Sequence, residues 1–204
     1  LIKRGAFMSN NLNSLIEQAQ KGDVLAFEKL IEDHQKKVYN IAFRFMGNSE
    51  DASEVAQEAF IRVYKSIKNF KGKSSFSTWL YRIVVNICMD EMRKRNKQNI
   101  VYIDEITQTE KGEYRHEIES GEESPQQQVE INETRNEIYA AINSLSDEHK
   151  AVIVLKDIQG FSYEEIAGIM KCPEGTVKSR LNRARSILKD ILKKNMELFN
   201  KENV

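Results

Sequence analysis

The sequence predicts an all-α protein with two small helical domains, an N-terminal helical bundle and a C-terminal helix-turn-helix domain, joined by an acidic flexible linker. Glycine and proline are scarce, with 9 and 2 residues among 204, which favours long helices over a many-turned β-fold. Apolar residues recur at helical spacing in two long stretches and lose that spacing in the acidic stretch between them. Hydrophobic residues make up 40% of the chain, which is enough for packed cores.

Three helical segments are predicted in the N-terminal half. The first covers residues 12–47, with a break or N-cap at Gly22-Asp23, and the second covers residues 49–70. The third covers residues 76–97 and follows a polar, glycine-containing loop. The second segment has an inner apolar stripe made of Val55, Ala59, Phe60, Val63, Tyr64 and Ile67.

The C-terminal half regains helical periodicity after the linker. One helix is predicted from Val129, with Ile138 on its inner side, and another from Asp147 to Ile158. Two short helices then flank Lys171-Cys172-Pro173. The predicted organisation is a disordered N-terminal extension at 1–11, a helical domain at 12–98, the acidic linker at 99–128 and a helix-turn-helix domain at 129–204.

Charge is strongly segregated although the formal net charge is zero. Ten basic residues lie between Arg62 and Lys97, opposed by two acidic ones. Eleven acidic residues lie between Asp104 and Glu137, opposed by three basic ones. Such segregation indicates separate surfaces for separate polyelectrolyte partners.

Several other classes of protein do not fit the sequence. The two cysteines, Cys88 and Cys172, lie far apart, and His34, His116 and His149 lie in different segments, so no metal-ligand spacing or nucleophile–base pair is present. We therefore expect no catalytic residues, no bound metal and no cofactor. No apolar run is long enough to span a membrane and no signal peptide is evident, so a cytoplasmic protein without membrane insertion is expected.

The segment from Gly160 to Leu188 has the pattern of a helix-turn-helix. Ser162 and Glu165 have the spacing of a capping box, and Pro173 suits the first turn of a following helix. That second helix is basic on its outer side, as is typical of a helix that enters the DNA major groove. An ordinary amphipathic helix pair with a solvated basic face is the alternative.

Two further patterns lie in the N-terminal half. Glu50, Glu54 and Glu58 recur every four residues and so share one helix face, which is either merely solvated or a docking surface for a basic partner. Aromatic and basic residues alternate between Phe70 and Arg95, a pattern that suits the stacking of unpaired bases beside a phosphate backbone. Trp79 and Leu80 are expected to be core residues instead.

These segments resemble the extracytoplasmic-function sigma factors, group 4 of the sigma-70 family of bacterial transcription initiation factors. Residues 49–95 resemble the second conserved region of that family, and residues 145–185 are similar to the fourth. The motifs that carry the resemblance are Gln57-Glu58-Ala59-Phe60, Ser77-Thr78-Trp79-Leu80-Tyr81-Arg82 and Gly175-Thr176-Val177-Lys178-Ser179-Arg180.

The resemblance implies three binding surfaces. The surface for the clamp helices of the polymerase β′ subunit would contain Asp51, Glu54, Gln57 and Glu58. The surface for the minus-ten promoter element, including a flipped base, would contain Phe70, Lys71, Gly72, Lys73, Ser74, Ser75, Phe76, Asn86 and Arg93. The surface for the minus-35 element would contain Thr176, Lys178, Ser179, Arg180, Asn182 and Arg183.

The implied partners are core RNA polymerase, through its β′ clamp helices and β flap, promoter DNA, and a separate anti-sigma factor, either free or membrane-anchored. The acidic linker would thread toward the polymerase active centre. A stand-alone helix-turn-helix regulator is the main alternative, although it leaves the acidic helix and the aromatic–basic stretch without a purpose. An enzyme acting on nucleic acid fits less well, because no catalytic constellation is present.

Overall fold

A computed structural model describes the backbone of residues 12–102 and 125–202, and the side chains of residues 12–95 and 134–195. The predicted extension at 1–11 and most of the predicted linker lie outside the described residues. The chain divides into two compact units, with the boundary between Glu91 and Met92. The described residues form helices and turns with no strand, which confirms the all-α prediction.

The first unit contains three helices where the sequence predicts one interrupted segment. They are α1 (12–20), α2 (Val24–Glu32) and α3 (Gln35–Met46). The predicted break at Gly22-Asp23 is confirmed, because Asp23 caps α2 by accepting a hydrogen bond from the N–H of Ala26 at 3.1 Å. The second break, at Asp33 and His34, has no glycine or proline to announce it.

The first unit continues with two more helices and the loop between them. Helix α4 (Ser49–Ser66) packs along α3 and passes into a 3₁₀ turn (Ile67–Asn69). Helix α5 (Phe76–Tyr102) follows the 70–75 loop, and its residues after Glu91 belong to the second unit. Asn48 caps α4 through the N–H of Asp51, at 2.9 Å. Tyr64, predicted to face inward, is 42% exposed, because α4 turns its narrow inner stripe of small residues and valines toward the core instead.

In the second unit, one long helix packs against three shorter ones. Its helices are α6 (Pro125–Asn143), α7 (Asp147–Ile153), which continues as a π-helical turn (Val154–Ile158), α8 (Tyr163–Met170) and α9 (Glu174–Glu202). Helix α9 packs against α6, α7 and α8. Ile138, predicted to face inward, is 41% exposed.

The ends of the predicted linker are helical. Helix α5 runs through Tyr102 and α6 begins at Pro125, so residues 99–102 and 125–128 belong to helices. A proline fits the first turn of a helix because its missing N–H would have had no partner there. Residues 103–124 lie outside the described residues.

Within the first unit, His34 contacts the aromatic side chains of α5. Its Nδ1 lies 2.8 Å from the Tyr81 hydroxyl, and its ring centre lies 5.7 Å from that of Phe76. Tyr81 and Phe76 are both buried. Burial lowers the pKa of His34 below its ordinary value of 6.5, against a smaller opposing effect of Asp33.

We predict that protonation of His34 destabilises the protein in mild acid. Because the unfolded chain binds this proton more readily than the folded chain, the stability is complete above pH 6.5 and declines as the pH falls through 6.5 toward the folded-state pKa. His34→Phe should lose this part of the pH dependence when urea unfolding is measured on both sides of pH 6.5. A parallel loss of stability in the wild type and the variant would contradict the prediction.

Candidate nucleic-acid and protein interfaces

The 70–75 loop joins the 3₁₀ turn to α5 and presents one aromatic side chain between polar ones. Phe70 is half-buried, and its ring centre lies 5.1 Å from that of Trp79 and 5.9 Å from that of Phe76. Lys71, Gly72 and Lys73 are exposed. Gly72 has a φ of +66°, a conformation in which a side chain would be strained. The loop therefore holds an aromatic surface beside two cationic side chains.

Two predicted loop residues have structural roles. Phe76 is only 2% exposed, so its ring packs against that of Phe70 and is not available for direct contact with a ligand. Ser75 caps α5, because its Oγ accepts a hydrogen bond from the N–H of Thr78 at 3.1 Å. Ser74 is half-buried and donates its hydroxyl to the Ser75 carbonyl at 3.3 Å.

The other residues predicted for this surface lie further along α5. Asn86 and Arg93 are both exposed. Trp79, expected to be a core residue, is half-buried against Phe70, whereas Leu80 is fully buried as expected.

An acidic face runs along α4, made of Glu50, Asp51, Glu54, Gln57 and Glu58. At 3.6 residues per turn these positions fall within about a third of the helix circumference. The opposite side of α4 is buried and apolar, with Ala52, Val55, Ala56, Ala59 and Val63. The acidic face therefore points to solvent within the first unit.

Members of the acidic face differ in how much their side chains are engaged locally. Asp51 is occupied, since its carboxylate accepts a hydrogen bond from the Asn48 side chain. Glu58 pairs with Arg62, whose Nε lies 2.6 Å from its carboxylate. Glu54 and Gln57 are exposed on this face, and so is Glu50.

The second unit contains the predicted helix-turn-helix as α8, a tight turn and the start of α9. The capping box is present, with the Glu165 N–H bonded to Ser162 Oγ at 3.1 Å and the Ser162 N–H to the Glu165 carboxylate at 2.8 Å. Lys171 ends α8 in a left-handed conformation, with a φ of 51°. Pro173 lies one residue before α9, and its carbonyl accepts the first hydrogen bonds of that helix.

The six residues predicted for minus-35 binding do not share a single face of α9. Val177, Leu181 and Ala184 are fully buried, which fixes the rotation of the helix. Ser179, Asn182 and Arg183 are exposed on the side opposite this stripe, at the i, i+3, i+4 spacing of one face. The flanks carry Thr176, Lys178 and Arg180.

Acidic residues of α7 and of its π-helical turn hold two arginines of α9. Glu148 lies 2.8 Å from Arg180, whose side chain is only 25% exposed. Asp157 binds the Arg185 guanidinium through both carboxylate oxygens, and this hydrogen bonding raises the pKa of Arg185. Sequence periodicity could not identify Glu148 and Asp157, because their partners lie about thirty residues away along the chain.

Lys178 is held on the flank of α9 by two neighbours. Its Nζ lies 3.5 Å from the Glu174 carboxylate and 5.3 Å from the ring centre of Tyr163. Lys156 contacts the same ring at 4.7 Å. Tyr163 thus gathers two cationic side chains at the start of α8, a role that sequence reasoning missed.

Metal ligands and membrane spans are both missing from the part of the chain that the structure describes. There, no cluster of three histidine, cysteine, aspartate or glutamate side chains is arranged to bind a metal ion. No helix in those ranges is both long enough and apolar enough to cross a membrane.

Similar proteins match both units. Residues 30–98 match Sigma-70 region 2, and residues 135–188 match Sigma-70, region 4. The ECF RNA polymerase sigma factor SigW of Bacillus subtilis is 37% identical over 187 residues, covering 91% of this chain and 99% of that protein. The ECF RNA polymerase sigma-E factor of Escherichia coli K12 is 38% identical over 177 residues, covering 85% and 90%.

Solved structures show the same fold. The sigma factor RpoE of Bartonella quintana, in complex with the anti-sigma factor NepR, has a TM-score of 0.63 at 25% identity and covers 83% of this chain and 98% of that one. CnrH, in complex with the cytosolic domain of CnrY, has a TM-score of 0.62 at 23% identity, with coverage of 90% and 97%. The two matched regions and the relatives of 37% and 38% identity show that this chain belongs to the ECF RNA polymerase sigma factors.

Proposed function

We propose that this sigma factor binds core RNA polymerase through the acidic face of α4, reads the minus-35 element through α9 and captures a minus-ten base with the 70–75 loop. The observation that carries the proposal is the loop itself. A half-buried phenylalanine resting on two aromatic rings and flanked by exposed lysines suits an unpaired base and its phosphates. A regulator that binds only duplex DNA has no use for such a surface.

The three surfaces would act together in one complex. We take 12–98 and 129–204 as the two domains, with the linker between them, so that both DNA contacts belong to one chain. Two weak contacts on the same chain gain from effective concentration once polymerase holds them. The chain would act in the cytoplasm and supply no catalytic group, since the polymerase performs the chemistry.

A separate anti-sigma factor is a further proposed partner. The similar RpoE of Bartonella quintana was solved with the anti-sigma factor NepR, which supports this proposal at 25% identity. Co-purification of the chain with the product of a neighbouring gene, followed by loss of transcription on adding that product, would test it.

The acidic face of α4 gives the first prediction of this function. Glu54→Arg should weaken binding to core polymerase by roughly tenfold or more, because a like charge is placed against a basic partner. Glu28→Arg, which makes the same charge change at an exposed position of α2, is the matched control. Fluorescence titration of labelled protein with core polymerase measures both. Equal affinities for the two variants would contradict the proposed docking surface.

The 70–75 loop gives the second prediction of this function. Phe70→Ala should lower run-off transcription from a duplex promoter by roughly tenfold, since base–aromatic stacking contributes about 1–3 kcal/mol per base. Binding to core polymerase should be unchanged. Tyr39→Ala removes a similarly half-buried ring of α3 and serves as the control. Full activity of Phe70→Ala would exclude the loop as the site of base capture.

The exposed face of α9 that contains Ser179, Asn182 and Arg183 gives the third prediction of this function. Arg183→Ala should weaken promoter binding by the holoenzyme, and two measurements distinguish a phosphate contact from a base contact. A contact to phosphate would reduce the dependence of log K on log salt by about one unit for every sequence, whereas a contact to a base would relax sequence preference. Lys189→Ala, at an exposed position further along α9, is the control. Tight promoter binding by the free chain without polymerase would favour a stand-alone regulator instead.

A further inference from the structure

A side chain of α1 reaches the 70–75 loop from a distant part of the sequence. The Nε2 atom of Gln20 donates hydrogen bonds to the carbonyl of Ile67 at 3.1 Å and to the carbonyl of Phe70 at 2.8 Å. These partners lie 47 and 50 residues further along the chain. Gln20 is half-buried, so these bonds are partly shielded from water.

The two carbonyls bracket the 3₁₀ turn that leads into the loop. The last carbonyls of a helix have no partner within it, so they need donors from elsewhere. The Ile67 carbonyl already accepts the Phe70 N–H at 3.0 Å, and Gln20 supplies it with a second donor. The Phe70 carbonyl lies where the backbone becomes extended, with a ψ of 113°, and Gln20 binds it there. An amide nitrogen with two hydrogens can serve both carbonyls at once.

Phe70 is therefore fixed from two directions. Its backbone is held by Gln20, and its ring is held by Phe76 and Trp79. Preorganised contacts of this kind reduce the ordering cost when a ligand binds.

We propose that Gln20 is a positioning residue for promoter opening, which presets the 70–75 loop so that Phe70 meets the flipped base in the correct place. This inference rests on the proposed function of the loop. Gln20 does not itself contact DNA in this scheme. It acts through the backbone of Phe70.

The variants separate hydrogen bonding from packing. Gln20→Glu keeps the size and shape of the side chain but replaces the donor with an acceptor, so that it faces two carbonyls unfavourably. Gln20→Lys restores a nitrogen donor on a chain of similar length. Gln18→Ala is the matched control, because Gln18 is exposed on the same helix and its side chain donates to Ser14 within α1, away from the loop.

The chain contains its own probe of the loop. Trp79 is the one tryptophan in the sequence, and its ring contacts Phe70. In the full-length protein, Gln20→Glu should shift the tryptophan emission to longer wavelength and increase its quenching by acrylamide. Gln20→Lys and Gln18→Ala should both resemble the wild type. Circular dichroism on the same samples verifies that the helices remain folded.

The second measurement uses the holoenzyme. Gln20→Glu should slow open-complex formation on duplex promoter by roughly tenfold or more, because both hydrogen bonds to the loop are lost and one of ordinary strength accounts for about that factor. Affinity for core polymerase should stay unchanged, because the acidic face of α4 is untouched. A purely structural role would lower the thermal midpoint without this selective defect.

Three results would overturn the inference. Tryptophan emission of Gln20→Glu equal to that of Gln18→Ala would show that Gln20 does not hold the loop, as would a failure of Gln20→Lys to restore it. Altered emission with normal promoter opening would show that the loop position does not matter for opening. In that last case Phe70→Ala decides which idea fails. If Phe70→Ala is also fully active, the proposed function of the loop is wrong, and if it is defective, only the role of Gln20 is wrong.

Discussion

The burial of one narrow apolar stripe on each helix is the constraint on which the proposed binding surfaces depend. On α4, small residues and valines face the core, which leaves the acidic side chains together in solvent. On α9, Val177, Leu181 and Ala184 do the same, and so direct Ser179, Asn182 and Arg183 outward. The core thus determines which polar residues can reach a partner, and a rotation of either helix would remove its surface.

Local chemical signals in the sequence were enough to predict many features. The capping box at Ser162 and the break at Gly22-Asp23 both depend on residues a few positions apart, and the structure has them where they were predicted. The break at Asp33-His34 was missed because no glycine or proline marks it in the sequence. Periodicity also widened the inner stripe of α4 to include Tyr64, which solvent reaches.

Local sequence patterns are equally limited in predicting the candidate surfaces. The family resemblance implied Phe76 and Ser75 together with Phe70, yet only the structure shows that Phe76 is buried and that Ser75 caps a helix. Gln20, Glu148 and Asp157 act through partners far away along the chain. No pattern within a window of one helix can reveal such pairs, because tertiary packing alone brings them together.

If α9 binds DNA as proposed, the ion pair between Arg180 and Glu148 affects how well the protein discriminates specific from non-specific DNA. An arginine that already has a carboxylate partner exchanges one anion for another when a phosphate approaches, so part of what it would gain from an arbitrary stretch of backbone is offset. A guanine edge or a phosphate held in the correct geometry would compensate better for leaving Glu148. In the proposed function, the Glu148 carboxylate would therefore compete with DNA for Arg180 and would weaken binding to non-specific sites.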